Sequence, residues 1–235
     1  MPDNKGLIYE HKINKELKKA GLQRKSFQPA GSDSNAPDAE LTLKDAQHKV
    51  EVKLDLKVDF GQGSLMYNLE TKKWELGGAD TDSAKQMREF LTMIGVPRFV
   101  NEHWGRHGAP RKFTVDPKHY TQKDVDWDYA HFKDFFVAVP SDSVAKYYNS
   151  KKTYYIQVGD GYGFYWMGRD IARLGVPKFT VNLRLRVRLK RGGSFPIYNY
   201  RFSTALQAVS LSKSTSDLED PKFLLALKAR HGKKL

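Results

Sequence analysis

From Ala36 to Gly63 the chain reads APDAELTLKDAQHKVEVKLDLKVDFGQG, and apolar residues recur at every second position. That period belongs to a β-strand with one buried face. In a first arm Ala39, Leu41 and Leu43 point one way, and Asp38, Glu40 and Thr42 the other. In a second arm Val50, Val52, Leu54, Leu56 and Val58 share a face opposite Glu51, Lys53, Asp55 and Lys57. The polar connector Lys44 to Lys49 is short enough for a hairpin loop. Folding the arms together brings Asp38 to the face that carries Glu51 and Lys53.

Elsewhere the pattern switches period. Gly6 to Gly21 predicts an amphipathic helix with Leu7, Ile8, Ile13, Leu17 and Ala20 inward, Gly21 as its cap, and Glu10 at the margin of the apolar face. His11 and Asn14 fall on its solvent side. Residues 26–35 form a polar, turn-rich approach to Asp38, placed to meet a substrate backbone. SLMYNLETKKWEL predicts a second hairpin turning near Thr71 to Lys73, and Asp82 to Ile94 a helix ended by Gly95 and Pro97. His103 and His107 have the i,i+4 spacing of a helical zinc pair, but Gly105, Gly108 and Pro110 predict a loop there. A short helix is expected from Ser141, and Thr153 to Met167 predicts strand, Gly-Asp-Gly turn, strand. Its aromatics are core and sheet-face residues by type, with base stacking as the alternative. A helix from Asp220 leads into the basic ending KARHGKKL. The sum is an α/β protein: a central mixed β-sheet flanked by helices, with an elaborated C-terminal half.

Charge sharpens the picture. Forty Lys and Arg against 27 Asp and Glu give a net charge of +13, which favours a polyanionic partner and most plainly nucleic acid. The strongest concentration is NLRLRVRLKR, residues 182–191. As a strand it sets Arg184, Arg186, Arg188 and Lys190 in a row, about 6.6–6.8 Å apart, with no acid among them. Such a row can follow a phosphate backbone; a charged edge strand that resists aggregation is the alternative. The chain has no Cys, which removes disulfides, thiolate zinc sites and cysteine nucleophiles. No apolar signal core or membrane-length run is present, so an intracellular protein (cytoplasmic, nucleoid or nuclear) is expected, without a membrane partner.

Two carboxylates and an ammonium on one rigid face suit a divalent cation. Mg²⁺, with Mn²⁺ as a substitute, takes hard oxygen ligands at about 2.0–2.1 Å and keeps several waters. Asp38, Glu51 and the backbone carbonyl of Val52 could supply part of that shell. Lys53 beside it would orient a water and offset phosphate charge. The alternative is a solvated hairpin with cross-strand charge pairs. Pro37-Asp38 followed by Glu51-Val52-Lys53 resembles the signature of the PD-(D/E)xK, or restriction endonuclease-like, nuclease superfamily. The resemblance is concentrated in residues 6–67. It implies that Asp38 and Glu51 hold the metal and that Lys53 assists attack by water on a phosphodiester. It also implies an outer acidic ligand at Glu10. Gln62 to Tyr67 is similar to the Gln…Tyr pair of one exonuclease branch, with one extra residue of spacing, which makes Gln62 a phosphate or water contact. Asp55-Leu56-Lys57 repeats the (D/E)xK pattern on the same strand. The first pair is preferred because the second lies nearer the strand's end, before Gly61 and Gly63.

These readings converge on a single nuclease domain over 1–235, with a catalytic core at about 6–95 and a DNA-binding elaboration at about 96–235. The expected activity is Mg²⁺-dependent endonucleolytic hydrolysis of DNA, with homodimerisation compatible. An exonuclease, a junction-resolving nuclease and a non-catalytic nucleic-acid-binding protein are the rivals, and RNA is an open alternative substrate.

Overall fold

In the computed structural model, residues 4–29, 36–44, 46–191 and 199–232 are described; the side chain of Arg191 is not. In chain order the elements are α1 (Lys5–Ala20), β1 (Ala39–Leu43), β2 (Ala46–Lys53), β3 (Asp59–Asn68), β4 (Lys73–Gly77), α2 (Asp82–Met93), α3 (Val96–Trp104), α4 (Arg111–Thr114), α5 (Gln122–His131) and β5 (Phe135–Val139). They continue with α6 (Ser143–Ser150), β6 (Thr153–Val158), β7 (Gly163–Trp166), β8 (Val181–Arg191), β9 (Tyr200–Leu211) and α7 (Pro221–His231). Most of the polar approach at 26–35, from residue 30 on, lies outside the described residues, as does the end of the basic tail. The chain forms two compact units: 1–58 with 141–182 and 208–235, and 59–140 with 183–207.

The first unit is built on a mixed four-stranded sheet of order β1-β2-β6-β7. The hairpin β1–β2 is antiparallel, with Ala39 opposite Val50 and Leu41 opposite His48, and β2 runs parallel to β6. This register places Ala39, Leu41, Leu43, Val50 and Val52 in one core with Ile13 and Leu17 of α1 and Leu224 and Leu227 of α7. A one-residue slip would turn all the strand residues outward, so core burial fixes the register. The Asn4 side chain accepts from the Gly6 N–H at 3.1 Å, and Gly21, at φ 72°, returns its N–H to Leu17 and Lys18. The bounds of the helix and strand-turn-strand predictions hold in this unit, but Ile8, expected inward on α1, is exposed, and residues 46–49, expected in the connector, already belong to β2.

Two further expectations here are corrected. Asn14, read as a surface residue, is 3% exposed; the helix turns it toward the hairpin, where its amide is consumed by two carbonyls. The second arm also ends at Lys53 rather than running to Val58. The Asp55 carboxylate accepts the Lys57 N–H at 2.7 Å and the Val58 N–H at 3.2 Å, a local turn that competes with the ladder. Gly159 closes the strand by donating to the Lys53 carbonyl at 2.8 Å, where a Cβ would lie 2.3 Å from the Leu54 oxygen.

The second unit holds a five-stranded sheet of order β4-β3-β9-β8-β5. One face packs an aromatic core: Trp74 meets Tyr67, Trp104, Phe132 and Phe202 at ring centroid separations of 4.9–5.5 Å. Gly63 lets α2 close on β3, since a Cβ there would stand 2.5 Å from Leu91. The stretch around His103, expected as a loop, is helical through Trp104 and continues as a 3₁₀ turn at Gly105–His107. Val96, Val100 and Trp104, at i,i+4 spacing, are all buried, and their packing outweighs the glycine. His103 stacks on Phe135 and His107 meets His131 edge-on, so the two histidines serve separate contacts.

Candidate active site

Asp38 stands one residue before β1 begins, so the last cross-strand pair, Ala39 with Val50, leaves the next step along β2 to a side chain. Asp38 takes that step: its Oδ2 accepts the Val52 N–H at 2.9 Å. Its own carbonyl accepts from Asn14 Nδ2 at 2.8 Å, and the same amide reaches the Glu10 carbonyl at 2.8 Å. Gln23 secures Asn14 Oδ1 at 2.6 Å and the Glu40 carbonyl at 3.1 Å. The aspartate is thus set by α1 and β2 together.

Glu51 and Lys53 leave β2 on its polar side, two residues apart. Lys53 Nζ lies 2.5 Å from Glu51 Oε1, and the two side chains are only 19% and 15% exposed. Tyr148 of α6 donates to the same oxygen at 2.8 Å, with its ring 6.0 Å from Lys53 Nζ. Tyr148 itself is 5% exposed. Asp38, Glu51 and Lys53, singled out from sequence, therefore lie in one electrostatically coupled group. Tyr148 and Asn14 were missed. Tyr148 carries no sequence signal because it arrives 97 residues after Glu51 on another element; a polar residue facing the core of an amphipathic helix was the available hint for Asn14.

The electrostatics follow from this crowding. Burial pushes the Asp38 carboxyl up to about 8, the Glu51 charge adds to the rise, and Lys53 and the Val52 N–H oppose it. Burial works against the charge on Lys53, yet Glu51, Tyr148 and Asp38 hold its ammonium well above the usual range. Glu10 is raised by burial and by Glu51, with Lys53 opposing. Its Oε2 is buried and accepts no hydrogen bond from the described residues. Three carboxyl groups around one ammonium in a poorly solvated place cannot all ionise freely, and the protonated forms of Asp38 and Glu10 gain accordingly.

That donor set suits a hard divalent cation: carboxylate oxygens, one of them without a partner, and a raised Asp38 that a nearby positive charge would relieve. Among the described residues no group of three or more His, Cys, Asp or Glu side chains is arranged to hold a metal ion, so the fit rests on the chemistry of these carboxylates and not on a formed ligand set. Val52, expected to offer its carbonyl, is fixed through its N–H to Asp38 and by pairing with Gln157. Asp55 and Lys57 lie in the turn after β2, where Asp55 is engaged with backbone N–H groups.

The remaining candidates lie in the second unit. On β8, Leu183, Leu185, Val187 and Leu189 are buried, while Arg184 and Lys190 are exposed and Arg186 and Arg188 half-buried. The strand lies between β9 and β5, so an edge-protecting role does not apply. The row is also not wholly free of acids: Arg186 pairs with Asp134 at 2.8 Å. Arg184 lies 4.3 Å over the Phe136 ring and donates to Gln207 at 3.3 Å, and Arg188 Nε is buried without a hydrogen-bond partner among the described residues. Gln62 is exposed on β3, opposite Ala205.

No protein-family profile and no curated protein matches the chain. Among solved structures it is similar to HhaI endonuclease in complex with DNA, at 13% identity and a TM-score of 0.47, over 94% of this chain and 96% of that one. No helix among the described residues is long and apolar enough to cross a membrane.

Proposed function

We propose that this chain is a divalent-cation-dependent nuclease that hydrolyses phosphodiester bonds in DNA, with Asp38, Glu51 and Glu10 as the cation-holding carboxylates and Lys53 as the charged group at the reacting phosphate. The observation that carries the reading is the buried Glu51–Lys53 pair, 2.5 Å apart, beside an Asp38 raised by burial. A solvated hairpin of cross-strand ion pairs would leave these side chains in water, where such pairs contribute little.

When bound, Mg²⁺ or Mn²⁺ would supply Lewis-acid polarisation of a phosphoryl oxygen and lower the pKa of a bound water. The protein's own part is positioning and charge. Asp38 is held by Val52 N–H and, through its carbonyl, by Asn14, so its carboxylate has little freedom left to lose. Lys53 stays protonated throughout the neutral range and is therefore not a proton acceptor. It donates instead: one N–H to Glu51 and the others to the attacking water or to a non-bridging phosphate oxygen, whose charge grows in the transition state. Tyr148 keeps Glu51 Oε1 on that side. The basic row Arg184, Arg186, Arg188 and Lys190 supplies sequence-independent contact with the DNA backbone.

The test is incubation with supercoiled, linear and branched DNA, with Mg²⁺, with Mn²⁺ and with chelator, for the wild type and Asp38→Asn. Cation-dependent nicking or cutting that the variant lacks supports the reading. DNA binding without cleavage under any cation would favour the non-catalytic rival. Cutting only from ends, or only of branched DNA, would assign the exonuclease or junction-resolving alternative.

A further inference from the structure

The β8 row is one column of a larger surface. Residue alternation and strand register together map the whole outer face of the five-stranded sheet. Phe136 of β5 lies opposite Arg186, and Ala138 opposite Arg184. On the other side Arg184 reaches Gln207, which sets Ala205, Ser203 and Arg201 of β9 on the same face by period two. Ala205 and Ser203 pair with Gln62 and Ser64 of β3, and Ser64 pairs with Gly77 of β4. The inner face carries the aromatic core. On the outer face Gln62, Ser64, Met66, Arg184, Lys190 and Arg201 are exposed.

We propose that this open face is where duplex DNA lies, with the β8 cations and Arg201 on its phosphates. Ser64, Ser203 and Gln62 form a flat hydrogen-bonding floor against it. Choosing DNA among polyanions rests on the nuclease reading above; the choice of a duplex rests on the face itself. The residues between the cations are small or uncharged: Gly77, Ser64, Ser203 and Ala205 raise no side chain that would keep a wide, stiff rod from the sheet. Single-strand platforms stack bases on free aromatic rings. The outward ring of β5, Phe136, already carries the Arg184 guanidinium at 4.3 Å. From Arg184 to Lys190 the row spans about 20 Å at the rise of a strand, long enough to follow several phosphates. Arg188 is half-buried in the row, its Nε covered and without a hydrogen-bond partner among the described residues. Among the described residues three acids touch the face, and each already holds a donor: Asp134 holds Arg186, Asp59 accepts from Gln207, and Glu75, opposite Met66 on β4, accepts from Asn68 and Thr71.

Fluorescence anisotropy in chelator, where nothing is cut, tests the proposal apart from catalysis. The probes are a labelled 20-base-pair DNA duplex and one of its single strands, titrated at several salt concentrations. The duplex should bind at least about tenfold more tightly than the strand. Arg201→Gln should lower the log–log salt slope by up to about 0.9, the value for a single phosphate no longer neutralised on B-form DNA. Ser203→Glu, and independently Ser64→Glu at an exposed position, should weaken duplex binding about tenfold, whereas Lys15→Gln on α1 should leave it unchanged. Equal affinity for duplex and strand would overturn the proposal, as would wild-type affinity and slope in all three face variants, or no binding of either probe. Loss of cleavage with these binding results intact would sink the nuclease reading and leave the platform standing.

Discussion

The two charged regions of this chain solve opposite problems. At the carboxyl site four ionisable groups are packed where water is scarce, so each shifts or pairs with its neighbours: Asp38 is raised to about 8 and Lys53 is locked to Glu51. On the outer face of the five-stranded sheet Arg184, Lys190 and Arg201 stand toward solvent, with Arg186 and Arg188 half-buried between them, so the charge is spread along the strands. Interactions in the first region are short-ranged and little affected by salt; in the second they are screened within about 10 Å at 0.1 M salt. A buried cluster concentrates its effect on a reacting atom, while an exposed row distributes it over a long ligand. A single substitution should therefore be severe in the first region and graded in the second.

The largest effect should come from Lys53→Ala. A donor aimed at charge developing in the transition state is worth about 10²–10³ in rate. Single-turnover cleavage at saturating DNA should fall by that factor, with binding in chelator unchanged. Lys57→Ala should leave that rate within about twofold, because Lys57 lies in the turn after β2 and its charge bears on ground and transition states alike. If Lys57→Ala is the slow variant, the site has been assigned to the wrong pair.

Next in size is the response to cation and pH. The folded pKa of Asp38, about 8, lies above the roughly 3.9 of an unfolded aspartate. Its protonated form is thus favoured by folding. Its contribution to stability is complete below about pH 4 and is lost as pH rises through 8. In chelator, Asp38→Asn should therefore melt higher than the wild type at pH 8.5, with the difference vanishing near pH 4. Mg²⁺ at a hundred times its dissociation constant would add about 2.7 kcal/mol to the wild type, or roughly 5–10 °C for a chain of this size. Asp38→Asn should lose that gain. Parallel melting curves for both proteins, with and without Mg²⁺, would remove the carboxylate from the cation site.

How far the sequence reaches differs between the two regions. Period two placed Ala39, Leu41, Val50 and Val52 in the core and Glu51 and Lys53 together on the polar side, because burial of one face leaves a hairpin little choice of register. Arg184 to Lys190 was legible for the same reason. Most of what stayed hidden depends on contacts distant in sequence. Tyr148 reaches Glu51 only because β6, which follows α6, lies parallel beside β2. Asp134 reaches Arg186 through the pairing of β5 with β8. Asp55 could not be told from a strand residue, since its turn is made by its own side chain.

Within the basic row the cations differ in what they already hold. Arg186 has Asp134, and removing it frees a carboxylate next to the DNA while deleting a cation that was partly neutralised. Arg184 and Arg188 have no such acid among the described residues. Arg184→Gln and Arg188→Gln should each reduce the salt slope by up to about 0.9. Arg186→Gln should reduce it less while still lowering affinity at every salt concentration. Equal slopes for all three would mean that the Asp134 pair opens when DNA binds.

The smallest effect expected is that of Tyr148→Phe, and it bears most directly on how the buried region works. The hydroxyl donates 2.8 Å to a carboxylate that Lys53 also holds, so Glu51 keeps one strong partner when it is removed. The ring remains to fill the core and to lie near Lys53 Nζ. A hydrogen bond to a charged acceptor is worth about 1.5–3 kcal/mol, and the surviving pair should bring the loss to the low end, near a tenfold drop in single-turnover rate. Because Tyr148 is argued to orient Glu51 and not to touch DNA, affinity in chelator should not move. Calorimetric Mg²⁺ affinity should weaken by a similar factor. A variant that loses rate but binds Mg²⁺ as the wild type does would show that the hydroxyl acts on the substrate side; one that melts lower with rate and Mg²⁺ affinity intact would reduce Tyr148 to a packing residue.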